Sequence, residues 1–566
     1  MEAAAPGAGN QGPATTTMPS EEMPASAPRL LTDLLDHAVE RHGAWPAVDF
    51  MGRKWTYREI GDLSRRAAKG LQDLGVRPGT RVGLCLPNTP YYVICYFAIL
   101  RIGAVVVNYN PLYTERELEH QITDSGTEVM IASDVALSLP KVVALVGNTT
   151  LQRVVVCPIA GALPPIKSLA YRLFKRKDIA SYPRDSRYVS FSQLVARDAD
   201  PEPVERDPHD LAVLQYTGGT TGVPKGAMLS HANLAANSAQ MVTHVGAMPE
   251  TQERTLGVLP MFHVFALTTV LNYSVETAAE MILLPRFEMK AFLATARRTK
   301  PTQFFGVPTL YIALNGVELH GEFDQVRVCI SGGAPLPLEV RQTFENRTGV
   351  RVVEGYGLSE ASPIIACNPL FGIVKENSCG PAFPGTTIEI RDPDQPDKVL
   401  EQGKRGEVCA RGPQVMKGYW NRPDATEATF VHGALRTGDI GYLDEDGYLF
   451  LVDRIKDLIL CGGYNVYPRT IEDALYEHPA VAEAVVIGVP HPYRGQSPKA
   501  FVALHPGAAV TQEQLRDFLS ERISKIEMPS EIEFRASLPK TMVGKLSKKE
   551  LVAEEAARRA AAEGNS

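Results

Sequence analysis

A glycine- and threonine-rich stretch in the middle of the sequence has the composition of a phosphate-binding loop. Residues 216–231 read YTGGTTGVPKGAMLSH. The apolar run 211–216 predicts a buried strand before the loop, and the pattern of residues 227–240 predicts a helix after it. Glycines let backbone N–H groups approach a phosphate closely, and threonine hydroxyls can bind phosphate oxygens or a metal. The predicted nucleotide-binding residues of this stretch are Thr217, Gly218, Gly219, Thr220, Thr221, Gly222 and Lys225.

The spacing of the stretch excludes the most familiar nucleotide loops. Lys225 lies between Pro224 and Gly226, whereas a Walker A lysine follows a glycine and precedes a serine or threonine. The GxGxxG spacing of dinucleotide-binding enzymes and kinases is also missing. An ordinary flexible loop is the alternative, but the composition and the flanking patterns favour a site for nucleotide phosphate.

This stretch resembles the phosphate-binding signature of the adenylate-forming superfamily, which includes acyl-CoA synthetases, coumarate ligases, luciferases and adenylation domains. The resemblance extends from Leu30 to Glu554 and is most detailed to the bacterial long-chain fatty-acid–CoA ligases. It implies two steps at one site. ATP and a carboxylic acid give acyl-AMP and pyrophosphate, and CoA then gives acyl-CoA and AMP. The implied small molecules are ATP, Mg²⁺, a fatty acid and the co-substrate CoA.

Two motifs add to the implied nucleotide site. Residues 354–360 read EGYGLSE, which alone would be a glycine-rich turn with an exposed glutamate. By resemblance, Glu360 and Thr217 ligate Mg²⁺, Tyr356 stacks on adenine, and Ser359, a threonine in most relatives, contacts phosphate. The SGGAP sequence at 331–335 predicts a strand-to-turn transition, and by resemblance its backbone passes over the adenine. The residues in these motifs are Gly332, Gly333, Ala334, Glu354, Gly355, Tyr356, Gly357 and Ser359.

Further motifs lie towards the C-terminus. Asp439 in RTGD would alone be a turn residue, but by resemblance it binds the ribose hydroxyls, with Arg454 contacting ribose and phosphate. Lys456 matches the family's hinge between domains. Lys545 in LPKTMVGK would alone be a solvated surface charge, but by resemblance it enters the site and stabilises charge during adenylation. A loop that resembles the lining of the pantetheine path contains Gly462, Gly463 and Tyr464.

His263 lies in the apolar sequence PMFHVF, where a single histidine is commonly a core residue. The resemblance implies instead that it lines the position of the acyl carboxylate. Phe265, Leu267 and residues 304–306 would form the wall of an apolar acyl tunnel, with Leu267 where some long-chain members carry a bulky aromatic gate. The predicted catalytic residues are Lys545, Glu360, Thr217 and His263.

Alternating strand and helix patterns predict an α/β fold. The predicted large N-terminal domain, residues 29–455, contains two doubly wound α/β subdomains and a small β-barrel, and it binds ATP and the acyl group. Residues 456–566 are predicted to form a small, mobile α+β lid domain that ends in a fraying helix. Residues 1–28, rich in alanine and proline, are predicted to be a disordered tail.

Composition limits the possible functions. A chain of 566 residues is too long for one ordinary core. The net charge of −7 argues against nucleic acid as a partner. The eight cysteines form no CxxC or Cys/His cluster, which argues against zinc and favours buried thiols in a reducing cytoplasm. The most apolar segment, residues 91–107, is short for a membrane span and predicts a buried helix followed by a strand.

Residues Pro164 to Asp178 predict an amphipathic helix with a basic flank. One interpretation is a helix on the membrane surface, which would place a cytoplasmic protein peripherally on the cytoplasmic membrane face. The other is a surface helix packed on its own domain, and both stay open. The apolar face contains Ile166, Leu169, Ala170, Leu173 and Phe174. The basic residues are Lys167, Arg172, Lys175, Arg176 and Lys177.

The sequence favours a fatty-acid–CoA ligase, and assembly into a homodimer stays open. Plant coumarate ligases carry lysine where Leu460 stands and glutamine where Asn465 stands, which favours an aliphatic acid. A medium-chain or aryl acid–CoA ligase is one alternative, and a non-catalytic acyl-adenylate binder is another. The presence of both Glu360 and Lys545 argues against the binder, because binding alone would not need the pair.

Overall fold

A computed structural model describes residues 27–217, 224–246, 251–461, 464–541 and 544–563. Its strands form four sheets within these ranges. Most of the predicted disordered tail lies outside the described residues. The predicted ligands outside them are Gly218, Gly219, Thr220, Thr221, Gly222, Gly462 and Gly463.

The first sheet has seven strands in the described chain, of which all but the last run parallel. Its centre is apolar, and the strand Val105–Asn108 is buried throughout. The helix Pro90–Arg101 that precedes this strand is buried on nearly every face, as the continuous apolar sequence predicted. In spatial order the strands are Tyr188–Ser190, Arg153–Cys157, Val129–Ser133, Arg81–Cys85, Val105–Asn108, Leu211–Thr217 and Lys225–Ser230.

The predicted order of strand, glycine-rich loop and helix is wrong in one respect. Residues 227–230 are not helical, because Lys225–Ser230 is a strand antiparallel to Leu211–Thr217, with Thr217 opposite Lys225. The helix His231–Val245 begins only after Ser230, whose hydroxyl accepts a hydrogen bond from the Asn233 N–H at 3.1 Å. The phosphate stretch therefore joins the two strands of a hairpin and does not lead directly into a helix.

The second sheet has eight strands in the described chain and is parallel except at its two edges. The N-terminal strand Pro46–Phe50 completes it by pairing in parallel with Glu280–Leu283. In spatial order the strands are Ile364–Cys367, Val353–Gly357, Val328–Gly332, Gln303–Gly306, Arg254–Gly257, Glu280–Leu283, Pro46–Phe50 and Arg53–Thr56.

The third sheet is antiparallel, with five strands among the described residues. RTGD lies inside the strand Ala434–Leu443, although Asp439 alone would be interpreted as a turn residue. Gly438 has a positive φ of 74°, and the register against Gly406–Arg411 shifts there, which marks a β-bulge. The strands are Thr387–Arg391, Gly406–Arg411, Ala434–Leu443, Phe430–Val431 and Leu449–Arg454.

The fourth sheet forms the core of the C-terminal part. The 3₁₀ turn Ile455–Asp457 separates its first strand from the last strand of the third sheet. The terminal helix is packed and not merely fraying, because Leu551 is fully buried and the Glu555 carboxylate lies 3.0 Å from the Lys499 ammonium. The strands in the described residues are Tyr464–Val466, Ile459–Cys461, Gly495–Leu504, Val481–His491 and Glu531–Arg535.

Helices cover the sheets and connect their strands. The α-helices are Leu31–His42, Tyr57–Asp73, Pro90–Arg101, Glu115–Ser125, Leu139–Ala144, Ile159–Ala162, Pro165–Phe174, Phe191–Leu194, His231–Val245, Val264–Ala266, Tyr273–Glu276, Met289–Thr299, Pro308–Asn315, Leu338–Thr348, Pro423–Thr429, Pro468–Tyr476, Gln512–Ser520 and Lys548–Glu563. Leu267–Asn272 is a π-helix, and the 3₁₀ turns are Arg176–Asp178, Ser359–Ala361 and Ile455–Asp457.

The amphipathic helix forms as predicted at Pro165–Phe174, but its apolar face is not packed on the domain. Ile166, Leu169, Leu173 and Phe174 are 85%, 61%, 64% and 84% exposed. Tyr171 packs against the core, and the Lys167 ammonium donates a hydrogen bond to the Met51 carbonyl at 2.8 Å. Across the described ranges, no helix combines the length and apolar character needed to cross a membrane.

Candidate active site

The ends of two neighbouring strands in the second sheet form one side of the site. Gly332 and Gly355 are paired across these strands, and the next residue, Gly333, is exposed with a φ of 84°. Ala334 follows it in the same turn and is half-buried. A left-handed conformation at this point turns the chain away from the sheet, as the SGGAP sequence predicted.

Glu354 is buried and uses its carboxylate within the protein. Its Oε2 accepts a hydrogen bond from the Leu336 N–H at 2.5 Å, and its Oε1 accepts one from the Cys379 thiol at 3.7 Å. Burial raises the pKa of this carboxyl. Glu354, predicted to contact the nucleotide, therefore holds the turn after Gly333 in place.

Asp439 lies where the second and third sheets meet. The Tyr356 hydroxyl donates to its Oδ2 at 2.5 Å, and Arg454, directly opposite on the paired strand, places Nε 3.2 Å from Oδ1. Burial raises the pKa of Asp439, while Arg454 and the tyrosine hydroxyl oppose that shift. The bulge at Gly438 directs this carboxylate towards Tyr356, so the ribose and adenine motifs meet although 83 residues separate them.

Lys545 reaches the same region from the C-terminal domain. A β-carbon on Gly333 would lie 2.6 Å from the lysine Cε and 3.1 Å from Nζ, so the lysine lies directly against the adenine-loop backbone. Burial lowers the pKa of Lys545 to about 8, with Arg454 lowering it further and Asp439 raising it. The charges of Arg454 and Asp439 thus reach the ammonium group.

His263 lies in the large domain, close enough to Lys545 for the charge of the lysine to act on it. Its Nδ1 accepts the Phe265 N–H at 3.3 Å and so caps the short helix Val264–Ala266. Burial, followed by the charge of Lys545, lowers the pKa of His263 to about 3. The imidazole is therefore neutral near pH 7, and a neutral ring that accepts at Nδ1 carries its proton on Nε2.

Glu360 is the predicted metal ligand and lies in the 3₁₀ turn Ser359–Ala361. The Tyr419 hydroxyl donates to its Oε1 at 2.7 Å, and Lys225 Nζ lies 5.1 Å from the centre of the Tyr419 ring. Thr217 is half-buried at the end of its strand, opposite Lys225. Gly357 and Ser359 are half-buried beside Glu360.

The residues around Glu360 fit a Mg²⁺ ion that is held mainly by substrate. No group of three or more His, Cys, Asp or Glu side chains is placed to hold a metal within the described ranges. Mg²⁺ bound by phosphate oxygens, water and one carboxylate needs no such group. Glu360 suits this role, because Oε1 is oriented by Tyr419 and Oε2 has no hydrogen-bond partner among the described residues.

A buried polar network that was not predicted supports the His263 turn. Asn88 accepts the Met261 N–H at 2.8 Å and donates to the Leu259 carbonyl at 2.7 Å. Gln215 donates to the Phe262 carbonyl at 3.0 Å. The partners of these side chains are 47 to 173 residues away, so no local motif indicates them.

The residues predicted to form the acyl wall lie in two different environments. Phe265 packs against Gly332, and Leu267, fully buried, begins the π-helix. Phe305 faces Tyr273, with ring centres 6.2 Å apart. Phe304 packs instead in an aromatic cluster with Phe292, Tyr311 and Phe323, because successive strand residues point to opposite faces.

The remaining predicted residues lie at the junction with the C-terminal domain and beyond it. Lys456 is exposed in the turn Ile455–Asp457 that links the third and fourth sheets. Tyr464 is 66% exposed on the antiparallel hairpin of Ile459–Cys461 with Tyr464–Val466. The structure thus brings together Lys545, Asp439, Arg454, Tyr356 and His263, and leaves Tyr464 on the surface.

Comparisons with known proteins identify the family of this chain. Residues 35–420 match the family described as AMP-binding enzyme, and residues 470–545 match the AMP-binding enzyme C-terminal domain. The long-chain-fatty-acid–CoA ligase of Bacillus subtilis (strain 168) is 41% identical over 539 residues, covering 93% of this chain and 95% of that protein. The ligase of the same name from Escherichia coli O157:H7 is 38% identical over 534 residues, covering 92% and 94%.

Solved structures share the fold. ATP-bound MatB from Rhodopseudomonas palustris is 30% identical with a TM-score of 0.81, covering 93% of this chain and 99% of that one. The anthranilate CoA ligase AuaEII in complex with anthranoyl-AMP is 26% identical with a TM-score of 0.82, covering 95% and 99%. The fold and site therefore define an adenylate-forming architecture. The chain belongs to the AMP-binding enzyme family.

Proposed function

We propose that this protein is an ATP-dependent fatty acyl-CoA synthetase. The observation that carries the proposal is Lys545 lying against Gly333, beside Asp439 and Arg454. Burial of a lysine costs free energy, so a buried lysine that is not needed for the fold indicates a functional role. A positively charged lysine can stabilise the negative charge that develops when a carboxylate attacks a phosphate. The similarity to long-chain-fatty-acid–CoA ligases supports a fatty acid as the substrate.

In the first step, a carboxylate oxygen attacks the α-phosphorus of ATP, and the bond to pyrophosphate breaks. We assign ribose binding to Asp439, with Arg454 holding its carboxylate, and adenine binding to Tyr356 and to the backbone of Gly332, Gly333 and Ala334. The positively charged Lys545 would stabilise the charge on the phosphate oxygens as the bond breaks. Mg²⁺, when bound through Glu360 and Thr217, would neutralise part of the triphosphate charge.

His263 would orient the carboxylate for this attack. The side chain is neutral with its proton on Nε2, so it can donate one hydrogen bond to a carboxylate oxygen without neutralising the nucleophile. Phe265 is half-buried against Gly332, and Leu267 and Phe305 are fully buried, so these apolar side chains would line a tunnel for an aliphatic chain.

In the second step, the CoA thiol sulfur attacks the acyl carbon, and AMP leaves with the phosphate oxygen. In the arrangement described, Lys545 lies against Gly333 and would block the approach of CoA. We therefore propose that the C-terminal domain, starting at Lys456, rotates before the second step and admits CoA. The turn Ile455–Asp457 joins the last strand of the third sheet to the first strand of the fourth, and the exposure of Lys456 suits a hinge. Rotation would bring the hairpin with Tyr464 towards the site.

Product analysis with a panel of acids tests the proposed function. The purified protein receives ATP, Mg²⁺, CoA and saturated acids of increasing length, with coumarate and anthranilate as aryl acids. We expect acyl-CoA, AMP and pyrophosphate, with the highest kcat/KM for a long aliphatic acid. Highest kcat/KM for an aryl acid would favour an aryl acid–CoA ligase, and absence of AMP with every acid would contradict an enzyme of this class.

We further propose that the exposed helix Pro165–Phe174 contacts an anionic membrane surface. Four large apolar side chains are more than half exposed on one face, and exposed basic side chains flank them. The only carboxylate of this segment is Asp178, which lies 3.5 Å from Lys175. Apolar insertion combined with excess positive charge suits anionic lipid headgroups.

Vesicle sedimentation tests the membrane proposal. We expect binding to vesicles that contain phosphatidylglycerol and weaker binding to pure phosphatidylcholine. Neutralising the five basic residues to glutamine, or replacing Leu173 and Phe174 with serine, should remove binding. The control is Lys404→Gln with Lys549→Gln, two exposed lysines elsewhere on the surface. Equal sedimentation of wild type and both helix variants would contradict the proposal.

A further inference from the structure

One hydrogen bond outside the predicted site holds the loop of Lys545 on the large domain. The Thr309 hydroxyl donates to the Gly544 carbonyl at 2.7 Å, across 235 residues of sequence. Thr309 lies in the first turn of the helix Pro308–Asn315, which follows the strand Gln303–Gly306 of the second sheet. We propose that Thr309 is a positioning residue that latches the lysine loop during adenylation. The inference rests on the proposed function.

The bond acts on Lys545 because Gly544 directly precedes the lysine. The carbonyl of Gly544 and the N–H of Lys545 belong to one planar peptide unit, so fixing the carbonyl fixes the start of the lysine. The Lys545 N–H donates to Thr541 Oγ1 at 3.1 Å, and the Gly544 N–H donates to the Thr541 carbonyl at 2.8 Å. Residues 541 and 544–545 thus hold one another, and Thr309 holds them against the large domain.

The fit at this contact leaves little space. Gly544 has a φ of 80°, and a β-carbon on it would lie 2.9 Å from Thr309 Oγ1 and 3.5 Å from Val307 Cγ2. The large domain therefore approaches the loop on the same side as the hydrogen bond. Since the Lys545 side chain lies against Gly333, the loop is held at Thr309 and the side chain at Gly333.

The latch should serve only one half-reaction. When the C-terminal domain rotates for thioester formation, Lys545 leaves the site and the Thr309–Gly544 bond breaks. Thr309 therefore stabilises the adenylation arrangement without contacting the reacting atoms. Replacing Thr309 should therefore slow adenylation alone, whereas replacing a residue that only stabilises the fold would slow both half-reactions.

Separate measurement of the two half-reactions tests the latch. Thr309→Val should lower the rate of acyl-adenylate formation about three- to tenfold, the effect of one lost hydrogen bond, and leave acyl-CoA formation from supplied acyl-adenylate unchanged. Thr309→Ser should restore adenylation. The control is Thr299→Val, because Thr299 donates only within its own helix, to the Thr295 carbonyl at 2.8 Å. Thr309→Ala gives the same comparison should the valine variant not fold.

The outcomes separate the latch from the proposed function. Equal loss in both half-reactions, no loss in either, or failure of Thr309→Ser to restore adenylation would overturn the latch. A wild-type protein that forms no acyl-adenylate with any acid would overturn the proposed function, whatever Thr309 does. As a second readout, the fall in adenylation above about pH 8 should move to higher pH in Thr309→Val, because a released Lys545 is better solvated.

Discussion

Lys545 and Gly333 are in such close contact that the glycine cannot carry a side chain without moving the lysine. A β-carbon at this position would lie 2.6 Å from the lysine Cε, and the backbone φ of 84° disfavours any other residue as well. The two residues come from different domains, so this contact records the closed arrangement in which the lysine occupies the site. The account of adenylation depends on this contact.

Gly333→Ala should therefore impair adenylation in particular. The new methyl group would displace Lys545, and the left-handed backbone would add strain of about 1–2 kcal/mol. We expect acyl-adenylate formation to fall more than about tenfold, with little change in the CoA step. Gly349→Ala is the matched control, because Gly349 has a φ of 71° and open space around the site of its absent β-carbon. An equal effect of both variants would show that the contact with Lys545 is unimportant.

Lys545→Ala removes the cation itself. Adenylation should fall by about 10²- to 10³-fold, as expected for loss of one donor to a developing charge. Thioester formation from supplied acyl-adenylate should continue, since the lysine has left the site in that step. Rapid-quench measurement of each half-reaction gives both rates, with Lys549→Ala as a control for an exposed lysine. Parallel loss of both rates would count against the assigned role.

The pH dependence of adenylation should reflect the same lysine. Burial lowers the pKa of Lys545 to about 8, so its positive charge is present below that pH and is lost as the pH rises through it. We expect kcat/KM for ATP, which reports the free enzyme, to fall above about pH 8. Lys545→Arg keeps its charge, so its residual activity should not show this fall. A profile that is the same in both proteins would assign the ionisation to another group.

The stability of the C-terminal domain should depend on Lys499, a buried lysine that lies outside the proposed active site. Lys499 is fully buried, and its ammonium lies 3.0 Å from carboxylate oxygens of Glu531, Glu533 and Glu555. Lys499→Met would leave three neighbouring carboxylates without their shared cation, which costs about 3–5 kcal/mol. Hydrogen exchange in Val481–His491 and Gly495–Leu504 should become faster, whereas Lys549→Met should have no effect. Unchanged hydrogen exchange in Lys499→Met would contradict this prediction and would mean that other cations replace Lys499 beside the carboxylates.

Acid should weaken the same cluster. The Arg558 guanidinium, followed by Lys499 and Arg535, lowers the pKa of Glu533 from 4.5 to about 2. A lowered folded-state pKa contributes stability above pH 4.5, and that stability is lost as the pH falls towards 2. Protection of these strands should therefore decrease over that range in the wild type, and less in Lys499→Met. Equal decreases in the two proteins would contradict this explanation.

The sequence predicted what local patterns determine. The apolar segment 91–107 forms a buried helix followed by a strand, and SGGAP ends the strand Val328–Gly332 in a glycine turn, both as predicted. The helix start after the phosphate stretch was misplaced, because residues 227–240 combine a short strand with a helix and their average pattern resembles a helix. Ser230, three residues before Asn233, was the capping signal that was missed.

The sequence alone does not predict which distant segments contact each other. A periodic pattern shows which face of an element is buried, but not which segment covers it. Tyr356 with Asp439, Glu360 with Tyr419 and Thr309 with Gly544 are 83, 59 and 235 residues apart. For the same reason the sequence does not show that the Glu354 carboxylate accepts hydrogen bonds from Leu336 and Cys379.

Exchange of labelled pyrophosphate into ATP, measured without CoA, tests the central claim most directly. An enzyme that forms acyl-AMP reversibly must catalyse this exchange when a suitable acid is present, whereas a phosphoryl-transfer enzyme releases ADP instead. The account predicts exchange that depends on a fatty acid and is lost in Lys545→Ala. No exchange with any acid, or conversion of ATP to ADP, would contradict it.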